Sequence, residues 1–286
     1  MVGAEMTTEG VLAFYRDCGV SEHLAPTPQD RFADALLDEK APSAQIDASP
    51  PVPSAAPRAP ASPAPPRKAQ DAPPAGAPTQ PSEDTEDARA AAVSAADLEA
   101  LRATLDRFEG CALKSTAMRT CHGEGPLGAP LMFVGEAPGR DEDAAGRPFV
   151  GRSGKLLERM LAAIGFEREE VYISNVIPWR PPGNRTPSPQ ETATCEPFVR
   201  REIALVAPQI LVPLGGAAAK VLLDTNQGIM RQRGRWTHYR ADGYGGPDEI
   251  AAMAMFHPAY LLRTPAEKRR AWQDLLALRA KLDGAA

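Results

Sequence analysis

Read as a pattern of apolar and polar positions, the chain changes character twice. Residues 8–24 carry a partial helical stripe of Val11, Leu12, Tyr15 and Val20. Mostly polar residues follow to about 40, and residues 41–81 show no periodicity of either kind. From Ser94 onward the pattern becomes regular. Ser94 and Asp97 have the spacing of a capping box with a short acid, and Leu98, Leu101, Leu105 and Phe108 then recur at helical spacing. Buried-type apolar runs at 130–135, 171–177, 209–215 and 249–257 predict four strands. Helical patterns at 153–165, 188–206, 216–224 and 264–282 separate or follow them, with Ser188 and Glu191 forming a capping box and Gly165 a stop signal. Apolar strands alternating with helices predict an α/β fold: a three-layer α/β/α sandwich around a central, mostly parallel four-stranded sheet.

Composition explains the silent stretch. The chain has 30 prolines, and 13 of them fall within residues 41–81, among many alanines. Such a segment buries too little apolar surface to offset its ordering entropy. The expected organisation is therefore an N-terminal segment with a short helix (1–40), a disordered Pro/Ala-rich and acidic linker (41–93) and one compact domain (94–286). The short helix reads either as a peripheral helix packed on the domain or as a site for a protein partner.

Net charge splits along the same line. The formal charge of -5 is the sum of -9 over residues 1–100 and +4 over the rest. The compact part is thus mildly basic, which permits nucleic-acid binding without demonstrating it. No apolar run approaches the ~18 residues of a membrane span, and the N-terminus has neither a basic nor an apolar signal region. Four cysteines are too few for a disulfide-stapled secreted domain. The expected setting is the cytoplasm, with no membrane partner.

In open parallel sheets the working groups lie at the carboxyl ends of the strands. The loops after the first, second and fourth strands are the richest in Gly, Pro and polar residues. GEAPG (135–139) makes a tight turn but is neither a dinucleotide nor a P-loop fingerprint. Glu136 there either projects into a cleft or faces solvent. Glu142 lies in an acidic cluster with Asp141 and Asp143. Phe149, on a glycine-flanked loop, can stack on a planar base or anchor its loop to the core. Asn175 breaks the second apolar run; its amide can read a pyrimidine edge or bond to neighbouring backbone. RPPGNR (180–185) offers Arg180 and Arg185 to phosphates. His257 opens HPAYLLR, where Leu261 and Leu262 are apolar residues in an expected loop, able to wedge into a base stack.

Taken together and in this order, GEAPGRDED, GRPFVGRSG, YISNV with RPPGNR, and HPAYLLR resemble the family 4 uracil-DNA glycosylases over roughly residues 94–282. The resemblance implies hydrolytic removal of uracil from DNA. It implies that Glu136 orients or activates water, with Glu142 a second acid, and that His257 stabilises the departing uracil anion. Ala137, Phe149 and Asn175 become the uracil-binding residues. Arg180, Arg185, Tyr260, Leu261, Leu262 and Arg263 become the DNA contacts. The partner implied is uracil-containing DNA, met by a monomer.

The family also carries a 4Fe–4S cluster on four cysteines. Two of the matching positions here are Cys111 and Cys195, and the other two are Phe108 and Trp179. Cys121 could supply a third ligand. The resulting expectation is that packing by Phe108 and Trp179 replaces the cluster, and that the chemistry needs no cofactor. Two other readings are a non-catalytic binder of uracil-DNA and a hydrolase of free nucleosides. Covalent trapping of DNA is disfavoured, because the segment after the second strand holds no histidine.

Overall fold

The computed structural model describes residues 82–284. The expected helix at 8–24 and the linker over 41–81 lie outside the described residues. The first element is helix α1 (Glu83–Ser94), followed by α2 (Leu98–Arg107). The strands β1 (Leu131–Gly135), β2 (Tyr172–Asn175) and β3 (Ile210–Pro213) come next along the chain. Between β1 and β2 lie α3 (Arg140–Ala145) and α4 (Arg152–Ala162), and between β2 and β3 lies α5 (Pro189–Val206). After β3 come α6 (Gly216–Leu222), α7 (Ile229–Gln232), β4 (Trp236–Tyr239) and β5 (Ile250–Met253). The short α8 (Pro258–Arg263) and the long α9 (Lys268–Leu282) close the chain.

The sheet order is β2-β1-β3-β5-β4, parallel except for the antiparallel pair β4–β5. The expected α/β architecture with a mostly parallel sheet is therefore present, but with five strands rather than four. β4 escaped the sequence because it is an edge strand: Trp236, Thr237 and His238 are exposed, so no apolar run marks it. The alternation of side chains along β1 builds both cores. Met132 and Val134 join the cluster beneath α1, α2 and α5, with Leu101, Phe198 and Ile203. Leu131 and Phe133 join the opposite cluster beneath α4 and α9, with Leu157, Leu161 and Leu275.

Two other boundaries differ from expectation. Residues 83–93 read as linker but belong to α1, because Ala88 and Ala92 are fully buried and let that helix pack closely on α5. Ser94 consequently ends α1, and Asp97 alone caps α2, accepting a hydrogen bond from Ala100 N at 2.8 Å. The α5 capping box matches its sequence signature: Ser188 N donates to Glu191 Oε2 at 2.7 Å, and Ser188 Oγ accepts from Glu191 N at 3.2 Å.

Candidate active site

The parallel strands β1, β2, β3 and β5 all end at one cleft of about 580 Å³. Glu136, Ala137, Glu142, Phe149, Asn175, Arg185, His257, Tyr260 and Arg263 line it. The sheet makes this convergence. Gly135 and Asn175 are paired neighbours at the ends of β1 and β2. A Cβ on Gly135 would fall 2.4 Å from Asn175 Oδ1 and 2.7 Å from the Phe149 ring, so only glycine lets the amide and the ring meet there.

Each polar group has a distinct environment. His257 caps α8, and its Nδ1 accepts a hydrogen bond from Ala259 N at 3.1 Å. That bond leaves the ring proton on Nε2. Burial, assisted by the nearby positive charge of Arg263, pushes the imidazole pKa down to about 4. The ring is thus a neutral donor at neutral pH, 5.4 Å from the Phe149 ring between centroids. Burial also pushes the Glu136 carboxyl above its ordinary value. Asn175 is buried, and among the described residues no protein group hydrogen-bonds its amide.

Glu142 behaves differently from a catalytic acid. Its Oε2 accepts from Gly139 N at 3.1 Å, and its Oε1 from Val150 N at 3.0 Å and Gly151 N at 2.8 Å. The carboxylate is engaged by three backbone donors and ties the GEAPG turn to the Phe149 loop.

The expected DNA contacts divide. Arg185 lines the cleft while pairing with Glu191 at 2.6 Å, which holds that carboxyl down at about 2. Arg180 stands outside the cleft lining, bonded to Asn184 at 2.7 Å and 3.8 Å from Asp143. HPAYLLR is not a loop but the whole of α8 with its cap, and helical geometry turns its two leucines apart. Leu261 is 1% exposed in the core, whereas Leu262 is 37% exposed. Leu261 therefore cannot serve as the expected wedge without leaving the core, and of the two leucines only Leu262 is exposed. The cleft also includes Gly215, Gly216 and Ala217 after β3 and Ile229 of α7, which the sequence reading missed. The signal was present, since the strand-end rule applies to β3 as to the others.

The cysteine positions lie in the core beneath α2 and α5. Cys111 and Cys195 touch, with sulfurs 3.7 Å apart. Phe108 packs edge-on against Phe198 with ring centroids 5.0 Å apart, and Trp179 is fully buried with its indole N–H on Thr120 Oγ1 at 3.3 Å. Cys121 faces elsewhere, donating to Glu142 O at 3.2 Å, and burial pushes its thiol up to about 12. Among the described residues no three His, Cys, Asp or Glu side chains converge as a metal site. A 4Fe–4S cluster needs four such ligands, each on its own iron. Two thiols in mutual contact, with aromatic rings at the other two positions, do not fit it.

Comparison with known proteins agrees with the cleft. The family model described as the uracil DNA glycosylase superfamily matches residues 122–276. The chain is 39% identical over 174 residues to the type-4 uracil-DNA glycosylase of Thermotoga maritima, covering 60% of this chain and 87% of that protein. It is 41% identical over 159 residues to the type-4 enzyme of Archaeoglobus fulgidus, covering 54% and 78% respectively. It is 35% identical over 179 residues to that of Pyrobaculum aerophilum, covering 63% and 91%. The matched region contains all four strand-end loops of the cleft, and this chain belongs to the uracil-DNA glycosylase superfamily.

Proposed function

We propose that this protein is a DNA repair glycosylase that hydrolyses the N-glycosidic bond of a flipped-out deoxyuridine, releasing uracil and leaving an abasic site. The observation that carries this reading is His257, a neutral imidazole with its proton fixed on Nε2 at the mouth of a cleft that also holds a free amide.

The chemistry follows from the side chains. The base must leave the duplex before its bond is reachable, and mispaired uracil unpairs readily. The flipped ring lies on Phe149, and the Asn175 amide pairs with the uracil edge, whose position 4 separates it from cytosine. As the bond breaks, negative charge gathers on the base and positive charge on the sugar. His257 Nε2–H donates to the leaving base, and a donor placed there in advance needs no reorganisation. Glu136 holds the water on the sugar side and balances the developing cation. Water adds to the sugar carbon, its proton passes to the carboxylate, and uracil departs as its anion before being protonated by solvent.

No step requires a cofactor. The packing of Phe108 and Trp179 around the Cys111–Cys195 contact takes the structural place of the cluster. Cys111, Cys195 and Cys121 are accordingly not a ligand set. The substrate partner in this reading is uracil-containing DNA, met by a monomer. Among the described residues no helix is long and apolar enough to cross a membrane.

A duplex carrying one U:G pair tests the reading. Alkali-labile strand breaks with equimolar free uracil are expected. Tight binding without an abasic product would make the chain a binder, and release from free deoxyuridine alone would make it a nucleoside hydrolase.

A further inference from the structure

Phe149 adopts a left-handed backbone conformation, with φ of +52°. A bulky aromatic residue holds that conformation only when its surroundings over-determine it. Three sets of contacts supply the constraint. Glu142 grips the loop from its amide side, through Val150 N and Gly151 N. Gly154 of α4 lies so close beneath that a Cβ there would sit 1.8 Å from Phe149 O. From the carbonyl side comes a residue that no sequence motif marks: Arg168, in the 3₁₀ turn Arg168–Glu170 after α4.

Arg168 is saturated. Its Nη1 donates to Phe149 O at 2.9 Å and its Nη2 to Pro148 O at 2.6 Å. The remaining N–H groups go to Glu124 Oε1, from Nε at 3.0 Å and Nη2 at 2.5 Å, and to Glu158 Oε1, from Nη1 at 3.1 Å. All five donors of the planar fork are used, which a lysine could not reproduce. Glu124 is itself fixed by Arg147 at 2.7 Å and by pairing with the β2 edge through its backbone. The fork is thus anchored to the sheet edge and to α4, and it presents two N–H groups to consecutive carbonyls of the Phe149 loop.

We infer that Arg168 is a positioning residue for the Phe149 ring, working across the loop from Glu142 so that carbonyls and amides are held from opposite sides. The inference rests on the proposed function, in which Phe149 carries the flipped uracil. Arg168 contacts no substrate. Its effect passes through the orientation of the ring, and so does the effect of Glu142, which also fixes Gly139 of the turn that carries Glu136.

A double-mutant cycle tests it. Arg168→Ala, Phe149→Ala and the double variant are compared by single-turnover excision from a U:G duplex and by inhibition with free uracil; thermal unfolding confirms that each is folded. Each single variant is expected to weaken uracil inhibition and excision by roughly tenfold or more. In the Phe149→Ala background, removing Arg168 is expected to change either by less than about threefold, because interacting residues are not additive. Arg168→Lys, which keeps the charge between Glu124 and Glu158, is expected to weaken uracil inhibition in the same direction by less, and it carries the test if the alanine variant does not fold. Losses that multiply across the cycle would overturn the inference, as would normal uracil inhibition in a folded Arg168 variant or in Phe149→Ala. A wild-type protein that releases no uracil would instead sink the proposed function itself, whereas multiplying losses in an active enzyme sink only the role of Arg168.

Discussion

Two regions near β2 differ in how many of the residues that the resemblance assigns they keep. Where the strand meets the cleft, every polar residue that the resemblance assigns to the chemistry is present, and the geometry gives each a partner or a vacancy suited to it. Beneath α2 and α5, two of the four expected cysteine positions hold Phe108 and Trp179, and the other two cysteines touch each other. A catalytic cleft tolerates little exchange, because a donor displaced by an ångström no longer meets developing charge. A structural centre can be exchanged whole, provided the replacement fills the same volume with satisfied contacts. Cys111, Trp179 and Cys195 are buried in one hydrophobic cluster, with Phe108 packed against it.

The sharpest way to break that comparison is to empty the core. Trp179→Ala removes a fully buried indole and should cost about 3–5 kcal/mol of stability, read by denaturant unfolding. Excision per folded molecule should change little, and protein purified without oxygen should lack stoichiometric iron. Should the folded variant lose activity to the extent of a cleft variant, or iron and a visible band near ~400 nm accompany the wild type, the two regions are not separate in the way described.

Next come the cleft variants, with the opposite signature. His257→Ala and Glu136→Ala should each lower single-turnover excision by about 10²–10³, the loss typical of one pre-placed electrostatic group. Neither should unfold the protein. Near-normal rates in both would refute the site, however well it matches the family.

Most of that cleft was legible in the sequence, and the reasons for the rest are physical. β1, β3 and β5 are largely buried and read as apolar runs, as does the segment around β2 apart from Ser174 and Asn175, whereas β4, with three exposed residues, carries no such mark. α1 was hidden by its acidic face and by the smallness of Ala88 and Ala92, whose packing value appears only against α5. Glu136, Asn175 and His257 were legible because each stands at a strand end. The work of Glu142 was not, since its three amide donors come from two loops that approach only in space. Arg168 was invisible for the same reason, with partners on Glu124, Pro148, Phe149 and Glu158. Motifs reveal groups that act on substrate; they reveal poorly the groups that hold those in place.

A pH experiment sharpens the contrast further. Burial, with the charge of Arg263, pushes the His257 imidazole down to about 4 in the folded chain, below the ordinary 6.5. Between those values the unfolded chain binds the proton and the folded one does not, so stability rises with pH across that window. The contribution is complete above about 6.5 and lost as pH falls toward 4. With the ring part-exposed at the cleft mouth, it should amount to about 1–3 kcal/mol. His257→Asn should flatten the pH dependence of unfolding between 4 and 6.5, while Trp179→Ala should lower the whole curve without changing its slope. An unchanged slope in the histidine variant would mean that the imidazole is not held neutral by its site.

The smallest effect separates two adjacent leucines. Leu262 is exposed beside the cleft, and Leu261 is enclosed by α4 and α9 in the core. A wedge contributes only where a base stack must be opened and kept open. Leu262→Ala should therefore slow excision from a U:G duplex by a few-fold, on the order of 1 kcal/mol, and leave excision from single strands almost unchanged. Leu261→Ala should do the reverse: about 2–5 kcal/mol of stability is lost with the core methyl groups, and the ratio of duplex to single-strand rates stays constant. The ratio is the informative quantity, because a general loss of folded protein lowers both rates together and cancels. A ratio shifted by the Leu261 variant and not by the Leu262 variant would mean that α8 turns over when it meets DNA.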